Sequence, residues 1–162
     1  MTSRPAVAAD FPTILALNEE SVHFLSPLTP ERLAYLDCEA DFHQLLEVNG
    51  EVVAFLLAFR EGADYDSVNY RWFAEHYAQF LYIDRVVVAT NQQGLGIGSQ
   101  LYRAVFAHAA AHKVSLVTCE FDIDPPNPIS ERFHTKMGFE EVGRQAVADG
   151  KKWVSLQAAL IR

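Results

Sequence analysis

The sequence predicts an α/β (α+β) fold: one mixed, mostly antiparallel sheet flanked by helices, in a single domain over residues 1–162. Three observations predict it. Asn49-Gly50 and Asp149-Gly150 each join two strand-like runs, and such dipeptides mark hairpins because both turn residues must take positive φ. Between them, from about residue 80 to 121, a strand, a helix and a strand follow in order, and that crossover implies a parallel pair. The two hairpins break the strand–helix alternation, which excludes a regular doubly wound sheet.

The elements follow in order. Asp10 is placed to cap a short helix through Asn18, with Ile14, Leu15 and Leu17 as its apolar residues. Thr29-Pro30-Glu31 reads as a cap, a proline at the first helical position and an acidic first turn, opening a helix to about Glu39. His43–Val48 and Val52–Phe59 are the first hairpin. Phe80–Val88, rich in β-branched and aromatic residues, is a buried strand. Gly96–His112 carries a helical stripe at Ile97, Leu101, Ala104 and Val105. Val114–Phe121 is a strand, and Asn127–Met137 a helix stopped by Gly138. Phe139–Val147 and Lys152–Ile161 close the chain as the second hairpin.

Composition limits the function classes. Half of the 162 residues are hydrophobic and 21% charged, which is globular rather than disordered composition. Thirteen Lys and Arg stand against 21 Asp and Glu, a formal charge of -8. That balance argues against a nucleic-acid surface, which needs clustered cations. It is compatible with a cationic substrate, although acidity alone often serves solubility. The longest apolar run, Val52–Phe59, falls far short of the ~20 residues that span a bilayer. The N-terminus lacks the apolar core of a signal peptide, and two separate cysteines, Cys38 and Cys119, form no C-x-x-C pair. The chain therefore reads as cytoplasmic, with no membrane partner.

The most informative stretch runs from Val86 to Leu101, where a strand ends, Gly94, Gly96 and Gly98 alternate, and an amphipathic helix begins. Glycine admits positive φ and close approach of a ligand to the backbone. The first helical turn leaves about four N–H groups unpartnered at the positive end of the dipole, which suits phosphate. A nucleoside triphosphate loop would need a lysine that is absent. A dinucleotide loop would need a glycine where Ser99 stands, although Glu120 falls at a plausible distance for a ribose carboxylate. A tight strand–helix turn holding no ligand is the third reading.

Gln93-Gly94-Leu95-Gly96-Ile97-Gly98, after an apolar strand, resembles the acyl-CoA pyrophosphate loop of the GNAT superfamily of N-acetyltransferases, [RQ]-x-x-G-x-[GA]. Asn127-Pro128-Ile129-Ser130-Glu131-Arg132-Phe133-His134-Thr135-Lys136-Met137-Gly138-Phe139 looks like that family's later N-x-x-[AS]-x-x-F-Y-x-K-x-G-F helix. The two motifs occur in order, and the element order over the whole chain is similar to the family's.

The resemblance implies a splayed central parallel pair with acetyl-CoA lying in the gap. Backbone groups of Val86, Val87 and Val88 would pair with the pantetheine arm, and the N–H near Val86 would polarise the thioester carbonyl. Amides from Gln93, Gly94, Leu95, Gly96, Ile97, Gly98 and Ser99 would hold the pyrophosphate. Asn127 and Ser130 would reach the pantetheine arm, and Phe133 would pack on the cofactor. No metal is implied. The acceptor would be a small-molecule or peptide amine, attacking directly in a ternary complex because neither motif contains a cysteine. Relatives are often dimers, so a homodimer is one partner the analogy allows.

Two departures stand out. Gln93 and Leu95 replace the loop's common basic residues, so phosphate binding would rest on amides and the helix dipole. His134 replaces the tyrosine that commonly protonates the departing CoA thiolate. It serves either as the acid, with an ordinary pKa of ~6.5, or as a packing replacement, with Ser130 and nearby tyrosines as fallbacks.

A base must also take the ammonium proton. Tyr82 and Asp84 alternate with Ile83, so they are expected to share a face with Val86 and Val88. Asp84 is the first candidate base and Glu120 the second. An Asp84–Arg85 ion pair and simple exposure of Glu120 are the bland alternatives.

Weaker signals are read modestly. His108 and His112 are four apart but lack a third ligand nearby. The aromatic, polar stretch Tyr65–Phe73 reads as a long connection that walls the acceptor site, covers the sheet or contacts a second subunit. A non-catalytic acyl-CoA sensor with a degenerate site is the rival from another class, and a dinucleotide-dependent oxidoreductase is the third.

Overall fold

The computed structural model describes residues 1–22 and 25–161. Its sheet has seven strands among the described residues: β1 (Thr2–Pro5), β2 (Phe42–Val48), β3 (Glu51–Arg60), β4 (Leu81–Val88), β5 (Leu116–Asp124), β6 (Glu140–Val147) and β7 (Lys152–Leu160). Their spatial order is β1-β2-β3-β4-β5-β7-β6, and every pairing is antiparallel except β4 with β5. Both dipeptide hairpins form as expected. Asn49 and Gly50 take φ of 53° and 77°, and Asp149 and Gly150 take 55° and 82°.

Five helices cover the sheet among the described residues: α1 (Phe11–Glu19), α2 (Pro30–Glu39), α3 (Val68–His76), α4 (Ile97–Ala111) and α5 (Pro128–Lys136). Ile14 and Leu17 of α1 and Leu33 of α2 pack on Leu45, Phe55 and Val87. Tyr70 and Phe73 of α3 pack on Phe59, Phe80, Tyr82 and Leu156. The opposite face is covered by Leu101, Tyr102 and Val105 of α4, with Phe133 and Met137 of α5 beside them. β3 lies between these layers, so Val53–Phe59 is buried throughout.

The structure corrects several local expectations. Tyr65–Phe73 is not a plain connection: α3 begins within it, capped by the Ser67 hydroxyl, which accepts from the Tyr70 N–H. Its apolar residues sit three apart and meet the sheet, so a sparse pattern suffices. Asp10 precedes α1, but its carboxylate accepts from Arg4 and from the Val7 N–H instead of capping the helix. β1 has no apolar alternation and exists because β2 offers an open edge. Thr29 does cap α2, accepting from the Arg32 N–H at 3.0 Å. Gly138, at φ 94°, ends α5.

The largest correction concerns β4. Leu57 pairs with Arg85 while Ala58 pairs with Ile83, leaving Asp84 as an extra residue. This β-bulge shifts the alternation by one. Val86 and Val88 therefore join Leu81 and Ile83 on the α4 side, whereas Tyr82 and Val87 face the other way. The expectation that Tyr82 shares a face with Val86 and Val88 fails for that reason.

Candidate active site

β4 and β5 pair only at Leu81–Val117 and Tyr82–Thr118, then diverge. β5 continues to Asp124 on the arm of β7, and β4 continues to Val88 on the arm of β3. The β5-facing edge of β4 beyond Tyr82 is thus left without a strand partner. Such an edge offers backbone N–H and C=O groups to an extended amide-bearing ligand.

At the end of this crevice the chain makes a 3-10 turn at Thr90–Gln92 and enters α4. Gly94 and Gly96 take φ of 79° and 80°, conformations a side chain strongly disfavours. Gly98 does not, and lies inside the first turn of α4. No side chain caps α4, and no acidic residue stands in its first turn. The first amides of the helix are therefore left for an anion.

A groove of about 530 Å³ runs over this turn, lined by Val86, Val88, Gln93, Gly94, Gly96, Ile97, Gly98, Ser99, Asn127, Ser130, Phe133 and His134 among others. Two expected cofactor residues lie off it. Leu95 points to solvent, 63% exposed, and the Val87 side chain is buried on the far face by the bulge. Neither offers more than backbone atoms. Asn127 also carries a structural task, since its side chain caps α5 by accepting from the Ser130 N–H.

A second cavity, about 170 Å³, lies deeper between the splayed strands. It meets the groove at Val86, Tyr102, Asn127, Ser130 and His134, which line both. Asp84, Glu120 and Asp122 line its other side, and Asp122 is paired with Lys152 at 3.2 Å.

Glu120 is half-buried against the cavity, not exposed at a strand end. Its carboxylate accepts from the Tyr82 hydroxyl at 2.8 and 2.9 Å and from Asn69 Nδ2 at 2.9 Å. Burial, reinforced by the Asp84 charge, pushes its pKa up to about 8, against the opposing pull of those two hydrogen bonds. Gln145 donates to Asn69 Oδ1 at 2.7 Å, which turns the Asn69 amide nitrogen toward Glu120. That position also leaves Glu120 no part in holding a ribose at the glycine turn.

Asp84 is engaged differently. It is paired with buried Arg85 at 2.7 Å and accepts the Tyr65 hydroxyl. Arg85 is held in turn by Asn18 Oδ1 and by the carbonyl and hydroxyl of Ser26. The bland reading of Asp84, a cation pair, is the observed one.

His134 is buried on α5. Its Nδ1 lies 2.7 Å from the Ser130 carbonyl, which can only accept, so Nδ1 carries the ring proton. Nε2 then accepts from the Tyr102 hydroxyl at 2.8 Å. Burial lowers the His134 pKa, which favours this neutral form. Phe133 stands edge-on to Tyr102 with ring centres 4.9 Å apart.

The sequence assigns Tyr102 and Asn69 no chemical role by number, and Tyr65 enters only through the stretch Tyr65–Phe73. Tyr102 occupies an apolar-stripe position of α4, where packing is the ordinary reading. The histidine pair on α4 is satisfied locally: His108 Nε2 lies 2.8 Å from Asp41, and His112 Nδ1 lies 2.8 Å from the His108 carbonyl. No group of three metal-ligating side chains occurs among the described residues. Among the described residues no helix is long and apolar enough to cross a membrane.

Comparison with known proteins places this geometry. The model of the acetyltransferase (GNAT) family matches residues 11–139. No curated protein matches the sequence. Among solved structures, the ribosomal-protein-S18-alanine N-acetyltransferase of Escherichia coli superposes with a TM-score of 0.75 at 16% identity, over 99% of this chain and 93% of that one. Ard1 from Thermoplasma volcanium gives 0.78 at 18%, over 99% and 97%. Chaetomium thermophilum Naa20, solved with a bisubstrate analogue, gives 0.76 at 18%, over 99% and 87%. At these identities the likeness concerns the fold.

Proposed function

The chain belongs to the acetyltransferase (GNAT) family, and from that membership we propose that it transfers an acetyl group from acetyl-CoA to a primary amine by direct attack in a ternary complex. The observation that carries this reading is the continuity of the two cavities. A groove ending on the bare amides of α4 meets a carboxylate-lined cavity beside Val86.

Acetyl-CoA fits the groove by its chemistry. Amides of residues 93–99 and the α4 dipole take the pyrophosphate, replacing the basic side chains the loop lacks. The open edge of β4 at Val86 and Val88 takes the pantetheine amides. The Val86 N–H serves the thioester carbonyl, whose oxygen gains charge as the amine attacks. Phe133 and Ser130 line the same path.

Glu120 is the base. An amine arrives as an ammonium ion, and a carboxylate with a pKa of about 8 is matched to accept its proton near neutral pH. Asp84, held by Arg85 and Tyr65, supplies negative charge beside it rather than a free carboxylate. With Asp84 and Asp122 already paired to Arg85 and Lys152, Glu120 is the carboxyl that faces the acceptor, either a small-molecule or a peptide amine. Direct attack is preferred to an acyl-enzyme because burial holds Cys119, which also lines the cavity, as the neutral thiol.

The test is a binding and turnover pair. CoA and acetyl-CoA should raise the melting temperature, whereas NAD and FAD should not. Acetyl-CoA with a panel of amines should release free thiol. Binding without thiol release for any amine would make the protein a sensor, and stabilisation by NAD alone would refute the cofactor assignment.

A further inference from the structure

His134, read from the sequence either as the acid or as a packing replacement, carries no N–H at Nε2 in its neutral form. Its single ring proton is carried by Nδ1, which donates to the Ser130 carbonyl, and Nε2 is an acceptor. The O–H that faces Nε2 is that of Tyr102, from the neighbouring helix.

Tyr102 is an unusual choice for its place. It lies on the buried stripe of α4 beside Leu101 and Val105, where an aliphatic side chain would fill the space without a polar atom. A buried phenol needs a partner for its hydroxyl, and here the partner is another polar group that lines the site. Phe133 and Phe139 pack edge-on against the Tyr102 ring, fixing its direction. Both Tyr102 and His134 line the groove and the deeper cavity where the two meet. On the acetyl-transfer reading, which this inference rests on, the thioester sulfur must pass that junction.

We propose that Tyr102 is the proton donor to the departing thiolate, with His134 as the residue that positions its hydroxyl. When the tetrahedral intermediate collapses, the C–S bond breaks and its electron pair leaves on sulfur. The Tyr102 O–H turns about its C–O bond from Nε2 to the sulfur, and the S–H bond forms. The phenolate recovers the proton that the new amide nitrogen must shed. One proton thus moves from nitrogen to sulfur through the phenol, and neither side chain is changed at the end. His134 Nε2 holds the hydroxyl between turnovers.

The test compares wild type, Tyr102→Phe and the double variant Tyr102→Phe/His134→Tyr in steady-state turnover of acetyl-CoA with an amine. Tyr102→Phe should lower kcat by about 100-fold or more, the usual scale for a lost general acid, with KM for acetyl-CoA changed less than about threefold. The double variant, which returns a phenol to the junction from α5, should regain at least about tenfold of that loss. A Tyr102→Phe protein with undiminished kcat overturns the assignment while leaving acetyl transfer intact. So does a loss the second phenol does not restore, because packing alone would explain it. A wild type that binds acetyl-CoA but releases no thiol overturns acetyl transfer itself, and this proposal with it.

Discussion

Glu120→Gln should separate the stability of this protein from its activity. In the folded chain the Glu120 carboxyl is raised from its ordinary 4.5 to about 8, chiefly by burial. Between those two values the unfolded chain has lost the proton and the folded chain still holds it. Stability therefore falls as pH rises from about 4.5 to about 8 and stays low above that. At ~1.4 kcal/mol per tenfold change in proton affinity the full loss is at most roughly 5 kcal/mol. Glu120 lines a cavity and is only half-buried, which screens the charge, so about 2–3 kcal/mol is the expected loss. Glutamine is nearly isosteric, and its carbonyl can still accept from Tyr82 and Asn69, but it carries no charge. At pH 9 the variant should be more stable than wild type by that amount, or roughly 5–10 °C in melting temperature. At pH 4, where the folded and unfolded carboxyls are both mostly protonated, the two should nearly coincide. Turnover should fall by ~10²–10⁴ above pH 8, where wild-type Glu120 is ionised, and by progressively less at lower pH, where the wild-type base is itself protonated. Melting curves at pH 4, 7 and 9 alongside kcat/KM check both halves. Parallel melting profiles for wild type and variant would refute the buried, neutralised carboxyl, and unchanged turnover would refute its role as base.

The remaining predictions are more local. In wild type kcat/KM should rise with pH through about 8 as Glu120 ionises, and this limb should be missing in Glu120→Gln; a limb that survives belongs to another group. Gly98→Ala should stabilise the unliganded protein by up to about 1 kcal/mol, since the added Cβ meets only Phe133 at 3.8 Å, yet weaken CoA binding by intruding on the groove. Gly96→Ala, at φ 80°, should instead cost roughly 1–2 kcal/mol; thermal melts and CoA titrations of the two variants check this contrast. Gly143→Ala would place a Cβ 2.6 Å from the Trp72 ring, costing about 1–3 kcal/mol. By displacing α3 and Asn69 from Glu120, it should also raise KM for the amine more than KM for acetyl-CoA.

Local chemistry decided much of this protein. The turns at Asn49-Gly50 and Asp149-Gly150, the Thr29 cap, the Gly138 stop and the glycine entry to α4 depend on neighbours within a few residues, so they are written in the sequence. The glycine turn was legible for the same reason: Gly94 and Gly96 take the positive φ that glycine marks, as the proposed cofactor loop would need.

What lies across the sheet was not. The bulge at Asp84 arises from the pairing of β4 with β3, and no residue type announces it. By shifting one residue it moved Val86 and Val88 onto the groove side and set Asp84 against Arg85. Glu120 acquired its raised pKa only when the fold buried it beside Asp84, and the hydrogen bonds that oppose that rise came from Tyr82 on β4 and from Asn69 on α3, itself hidden in a sparse aromatic pattern. Tyr102 looked like packing until the fold put His134 within 2.8 Å of its hydroxyl. The chain alone specified where backbone groups are left bare; tertiary packing alone specified which side chains meet them, because burial and proton sharing depend on neighbours distant in the sequence.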